Sequence, residues 1–277
     1  ELDPRQVARR LDALERRAAD RPVDPLDPEE VLELQDYFEQ SFRTHGRVRA
    51  LGAGFWERAA TLAPRLAAGP RAELFGLVWG EIEGLTLLYR RLYDALARLG
   101  FAADAAAPLD ALVPREDSII DVQTLGALDR EDAPTLAIRP AGGAPVTLPR
   151  PVVAALTAEL RMPLIAAPHP FFRHTDLLDF PGARSREQIA DPGAFIAERG
   201  GLATLFLRGK VAYLFERYCT EQELTAMLLC IGPSNLEVKG LPEMVSRWIA
   251  ATHGATAAER AAQRTALFLV LTKFDTE

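Results

Sequence analysis

The sequence predicts an α/β protein: an N-terminal all-helical subdomain followed by a parallel sheet with helices on both faces. Three features carry that expectation. The first hundred residues place apolar side chains at helical spacing, punctuated by Asp-Pro pairs. Two continuous apolar runs, 225–231 and 265–271, flank a helical stretch, as strands buried in a parallel sheet do. Between these halves, 102–108 is alanine-rich and then breaks at Pro108. That break puts the helical subdomain at 1–107 and the α/β domain at 108–277.

Asp3-Pro4 and Asp27-Pro28 each supply a helix N-cap followed by proline in the first turn. Glu29 and Glu30 add negative charge where the second helix dipole favours it. A third helix is expected over 54–67, bent or broken at Pro64. The longest is expected over 70–99, with Leu74, Leu77, Val78, Ile82, Leu85, Leu88, Leu92, Leu96 and Leu99 along one stripe. Trp79, Tyr89 and Tyr93 thicken that stripe, as core aromatics do.

Beyond the break, 135–139 and 145–148 flank Ala141-Gly142-Gly143-Ala144 and read as a hairpin. A short helix is expected over 151–160, and a short strand over 175–178 that ends at Asp179. Helix 201–218, strand 225–231, helix 241–253 and strand 265–271 complete the alternation.

Composition narrows the partners. A net charge of −7 and 48% hydrophobic residues suit a globular protein and argue against nucleic acid or anionic membrane. No apolar stretch approaches the roughly 18 residues of a membrane span, and the N-terminus has no signal-peptide pattern. Cys219 and Cys230 have neither C-x-x-C nor metal spacing, so packed, reduced thiols and a cytoplasmic setting are expected. The chain starts at Glu1 and stops two residues past Asp275, which reads as part of a longer protein.

Two motifs fall at expected strand ends. Thr272-Lys273-Phe274-Asp275 follows the apolar run 266–271, and T-K-x-D after a strand is a guanine-reading arrangement. The Asp275 carboxylate would accept two N–H bonds from the base edge, and the Lys273 stem would lie along the ring. The chain has only three lysines, Lys210, Lys239 and Lys273. With three, such a tetrapeptide arises by chance on the order of one time in a hundred. Asp179-Phe180-Pro181-Gly182 is a D-x-x-G tetrapeptide, and about one is expected by chance in a chain so rich in aspartate. Its place before the strand–helix–strand succession that leads to T-K-x-D is what raises it. Ligands in open α/β sheets bind at the carboxyl ends of strands.

D-x-P-G paired with T-K-x-D resembles the large, dynamin-related branch of the P-loop GTPases. Asp176-Leu177-Leu178-Asp179-Phe180-Pro181-Gly182-Ala183-Arg184, the segment 208–215 and Leu271-Thr272-Lys273-Phe274-Asp275 are similar to the SrfC-like virulence factors of bacteria. That resemblance covers the second half of the chain closely and the helical half by general pattern. It implies a partial P-loop GTPase-like sheet that binds GTP or GDP with Mg²⁺. Asp179 would reach the metal through water, Gly182 would face the γ-phosphate, and Thr272, Lys273 and Asp275 would hold guanine. The spacing between the motifs implies an insertion near 189–200.

One departure is large: no G-x-x-x-x-G-K-[ST] occurs in these residues, and Gly209-Lys210 lies inside a helical pattern. Either the P-loop belongs to a segment outside these residues, or the chain is a pseudo-GTPase scaffold that uses the fold for protein contacts. The first expectation makes GTP hydrolysis a property of the complete protein, with this chain weak or inactive by itself. A protein partner, or the remainder of the same chain, is then expected to complete the sheet. No catalytic residue is identifiable.

Other constellations rank below these. His169 and His174 with Asp176 and Asp179 could be drawn as a metal site. However, five-residue spacing in an extended stretch points the two imidazoles to opposite faces, and Pro168 and Pro170 favour a loop. The loop 232–240, with Asn235 and Lys239, reads as a turn on the ligand-binding edge, with a nucleotide or partner contact as the alternative. Arg184 suits either a phosphate or solvent.

Overall fold

The computed structural model describes residues 2–179, 189, 191–232, 241–261 and 263–272. They form a mixed α/β protein with one three-stranded antiparallel sheet and one two-stranded parallel sheet. Two compact units separate. The first comprises Glu1–Glu159 with Asp191–Leu207, and the second Leu160–Ala190 with Arg208–Glu277.

In the first unit, α1 (Pro4–Glu15) and α2 (Pro28–Ser41) start where the Asp-Pro pairs predict. The Asp3 carboxylate accepts from the Arg5 N–H at 2.9 Å. Asp27 accepts from the Glu29 N–H at 2.9 Å, and the Glu30 carboxylate accepts from the Asp27 N–H at 2.8 Å, closing a capping box. Helix α3 (Gly46–Leu62) begins well before the expected 54–67 and turns sharply at Gly52, whose φ is +64°. Glycine takes that conformation without a Cβ clash. A 3₁₀ turn over Ala63–Arg65, carrying Pro64, ends it.

The single long helix expected over 70–99 is two helices, α4 (Ala68–Gly76) and α5 (Glu83–Arg98). Gly80 and Glu81 adopt left-handed φ values of +76° and +58°, and the Glu81 N–H folds back onto the Gly76 carbonyl at 2.7 Å. The leucine stripe continues through the break because Leu74, Leu77 and Val78 fill one core while Leu88 and Ala95 fill another. Periodicity therefore hides the interruption. The first core centres on Val31, Phe55, Trp56, Leu66 and Leu74, and Trp79 and Tyr89 pack against it as core aromatics.

One ion pair lies inside this helical region. Arg71 on α4 meets Asp24 of the α1–α2 connection at 2.6 Å, with side chains only 3% and 1% exposed. The Tyr93 hydroxyl of α5 donates to the same carboxylate at 2.9 Å, and the Leu26 N–H donates to its other oxygen region at 3.1 Å. The Arg71 guanidinium also sits 5.5 Å from the Tyr93 ring centroid. Burial alone would raise the Asp24 pKa, but Arg71, Leu26 and Tyr93 outweigh it and hold the carboxyl below its usual range. Burial pushes the neighbouring Tyr89 hydroxyl up to about 12.

The second core lies under a small antiparallel sheet: β1 (Ala105–Ala106), β2 (Thr135–Pro140) and β3 (Val146–Pro149). The expected hairpin forms, with Ile138 opposite Val146 and Gly142 turning at φ +71°. Part of the alanine-rich break is β1, paired with β2. Leu136 and Ile138 point inward beneath α6 (Arg150–Leu156). Arginine forks fasten the irregular 109–130 stretch: Arg91 donates to the carbonyls of Leu128 and Arg130, each at 2.7 Å. Arg150 donates to those of Asp110 and Asp117 at 2.7 and 3.0 Å. Within the expected insertion, Asp191 caps a short helix, α7 (Pro192–Ala197).

The second unit contains the later part of α8 (Gly201–Thr220), then β4 (Met227–Ile231), α9 (Leu241–His253), α10 (Ala257–Ala261) and β5 (Leu267–Leu271). β4 and β5 pair in parallel, from Met227 with Leu267 to Ile231 with Leu271. Phe215 and Cys219 of α8 and Trp248 of α9 form the core here, with Met227 and Leu267 packed against it.

Two expectations need correction. The strands are not covered on both faces among the described residues, since Leu228, Phe268, Leu269, Val270 and Leu271 are all exposed. In addition, 175–179 forms no strand. A strand exists only through a paired neighbour, and this segment stands in solvent with Leu177 67% exposed.

Arg71→Leu would leave a buried, unpaired carboxylate, so it should cost about 3 kcal/mol or more in denaturant unfolding. For Asp24→Asn the pH sign follows from the depressed carboxyl. Its stabilisation is complete above the ordinary carboxylate pKa of about 4 and fades as pH falls through the lower folded value. The stability gap between wild type and Asp24→Asn should therefore narrow in acid. A gap unchanged down to pH 2 would exclude the charged pair.

Candidate functional site

The carboxyl ends of β4 and β5 lie side by side, which parallel pairing requires and an antiparallel pair would not produce. The ladder continues one step past the last strand residue: the Thr272 N–H donates to the Ile231 carbonyl at 2.8 Å. Thr272 is half-buried. Across from it the chain leaves β4 at Gly232, where a Cβ would meet the Thr272 hydroxyl at 3.6 Å, an ordinary contact. The peptides that depart from this edge, 233–240 and 273–277, lie outside the described residues, and with them Asn235, Lys239, Lys273 and Asp275.

Helix α9 connects the two strands, and its Trp248 is 1% exposed. The indole N–H donates to the Leu224 carbonyl at 3.3 Å, which ties the helix to the approach to β4. Arg247 pairs with Glu216 of α8 at 3.3 Å on the outer side of that contact. This apolar anchor packs at the amino ends of the strands, against Met227 and Leu267.

Of the five residues singled out in the sequence, the structure describes Asp179 and Thr272. Asp179 is an exposed residue in irregular backbone, and Gly182 and Arg184 lie outside the described residues. A solvated carboxylate is a hard oxygen donor of the kind that meets a hydrated Mg²⁺ through water. The hydroxyl that a P-loop adds to the same ion has no counterpart motif in these 277 residues. Gly209 and Lys210 sit in the middle of α8 rather than in a phosphate-binding turn. Burial lowers the Lys210 ammonium to about 8.

Among the described residues, no three His, Cys, Asp or Glu side chains gather around a common point. His169 stacks on Phe171 with ring centroids 6.1 Å apart, and His174 is exposed. The thiols differ from expectation in one respect. Both are free, but only Cys219 is packed, and Cys230 is exposed on β4. Burial pushes the Cys219 thiol up to about 11.

Residues 1–277 match throughout the family described as "Putative bacterial virulence factor". The chain belongs to that family. No curated protein and no solved structure matches this family member. Among its described residues, no helix is long and apolar enough to cross a membrane.

The Asp24–Arg71–Tyr93 cluster escaped the sequence because its partners are distant along the chain. A signal was present: Arg71 stands three positions before Leu74 and seven before Val78, inside the apolar stripe. A charge in that phase must either find a partner or break the helix.

The two thiols provide a direct check of the second unit. Exposed Cys230 should react with iodoacetamide in the native protein, while buried Cys219 should wait for unfolding. Equal native rates would mean that the α8–α9 contact over Cys219 is open.

Proposed function

We propose that this family member carries part of a guanine-nucleotide-binding domain, the P-loop belonging to a segment outside these residues. One observation supports this most: T-K-x-D begins at Thr272, on the carboxyl edge of a parallel strand pair, where open α/β sheets bind ligands. In this reading Asp275 accepts two N–H bonds from guanine and Lys273 covers the ring. Asp179 reaches Mg²⁺ through water, and the Gly182 N–H faces the γ-phosphate. The bound ion supplies charge neutralisation at the phosphates. The chain's own residues would contribute base selection and, at Asp179, a carboxylate that would help hold the ion.

Hydrolysis, in the complete protein, would follow positioning and electrostatic stabilisation rather than a covalent step. The 277 residues alone lack the phosphate cradle, so they should bind labelled GTP weakly or not at all. Tight binding by this chain would contradict the division of labour proposed here.

The exposed apolar strand surface favours a second reading, a scaffold that uses the fold for protein contacts without catalysis. Substitution in a protein that includes the segment carrying the P-loop separates the two. Asp275→Ala removes two charge-assisted hydrogen bonds, so GTP affinity should fall about tenfold or more. Affinity for inorganic triphosphate should stay within error. Equal losses for both ligands would remove the guanine-reading role, and no binding of either by the wild type would favour the scaffold.

A further inference from the structure

The stretch 109–122 lies over the second core and so has an inner and an outer side. Ala111 and Ile119 belong to that core, and Ser118 is fully buried. The Ile119 N–H donates to the Ala111 carbonyl at 2.9 Å, which doubles the stretch back on itself. One nitrogen of Arg150 gathers the carbonyls of Asp110 and Asp117. The residues between these inward ones take the outer side. Leu109 is 73% exposed, Val113 59% and Ile120 58%. Asp110, Glu116 and Asp117 are exposed among them.

Large apolar side chains grouped on a folded surface mark sites of association, above all where polar groups rim them. The rim here has one sign. Four carboxylates, counting Asp121, stand against Arg115 within the stretch. Among the described residues, Asp110, Glu116 and Asp117 are in no salt bridge. Doubling back also brings Asp110 alongside Asp117, so like charges are neighbours and a cation from outside relieves them. We infer that this surface docks a basic amphipathic segment of another protein. Its apolar side chains cover Leu109, Val113 and Ile120, and its lysines or arginines meet the carboxylates.

Charge selects this occupant over others. Nucleic acid and an anionic bilayer both carry the sign of the rim and are repelled by it. A two-fold contact between copies would set the surface against itself and oppose like charges. Acidity alone does not make the surface. Helix α2 carries five carboxylates and no cation, yet Val31, Leu34 and Phe38 pack into the first core and only Leu32 of its aliphatic side chains is exposed. That is a solvated helix face. The outward leucine, valine and isoleucine are what 109–122 adds, and they give a partner apolar area as well as ion pairs.

Fluorescence anisotropy on the 277-residue chain without nucleotide tests this. The probe is a labelled four-turn peptide of leucine and lysine whose leucines share one helical face. It should bind saturably and lose affinity as salt is raised. Asp110→Asn combined with Asp117→Asn should weaken it about threefold or more, since two exposed ion pairs are lost. Asparagine keeps the carbonyls that Arg150 holds. Leu109→Ser and Ile120→Ser should each weaken binding about threefold or more through lost apolar contact. Circular dichroism should be unchanged, since these side chains are exposed. Glu33→Gln combined with Asp36→Asn, on the acidic face of α2, should leave affinity as in wild type.

No binding of the leucine–lysine peptide overturns the inference. So does binding that the Asp110 and Asp117 substitutions leave intact, that the α2 substitutions weaken equally, or that a leucine–glutamate peptide of the same pattern matches. A dimer in sedimentation velocity that the Asp110 and Asp117 substitutions dissociate would give the surface to a second copy and overturn it as well. None of these outcomes bears on the proposed guanine site, whose residues belong to the second unit.

Discussion

The parallel pairing of β4 with β5 is the constraint on which everything of chemical interest here depends. It makes two strands end at the same edge, and it requires a crossover long enough to return the chain to its starting side. α9 supplies that crossover and is held down by a fully buried indole. Without the ladder, Gly232 and Thr272 would have no reason to be neighbours, and the T-K-x-D tetrapeptide would follow an arbitrary loop. With it, the peptides after both strands leave from one place.

The first unit solves a different problem, how to hold helices and irregular connections together with few regular strands. Its answer is the guanidinium. Arg71 binds the α1–α2 connection through a buried carboxylate, while Arg91, Arg98 and Arg150 donate to backbone carbonyls of Leu128, Arg130, Thr147, Asp110 and Asp117. A guanidinium presents donors in a fixed fork, so one side chain spans two carbonyls where an ammonium offers a point charge.

Local signals were the legible ones. Asp3 and Asp27 announced their helices, Gly142 its hairpin, and the runs ending at Ile231 and Leu271 their strands, because each depends on a few adjacent residues. The break at Gly80 and Glu81 was not legible, since an apolar stripe can feed two cores without losing phase. Nor was the loss of strand structure at 175–179, which turns on whether a neighbour is available and not on the segment's own composition. For the site, residue types and their order were legible, and the fold adds the shared edge at Thr272. How Asp179 is placed relative to that edge is a tertiary matter that no local pattern encodes.

Strands joined across a long crossover also impose an order of events on the growing polypeptide. Met227 finds Leu267 only after α9 and α10 have been synthesised, so the ladder carries a high contact order and closes late. Until then the β4 segment, all apolar, has no hydrogen-bonding mate and is open to wrong ones.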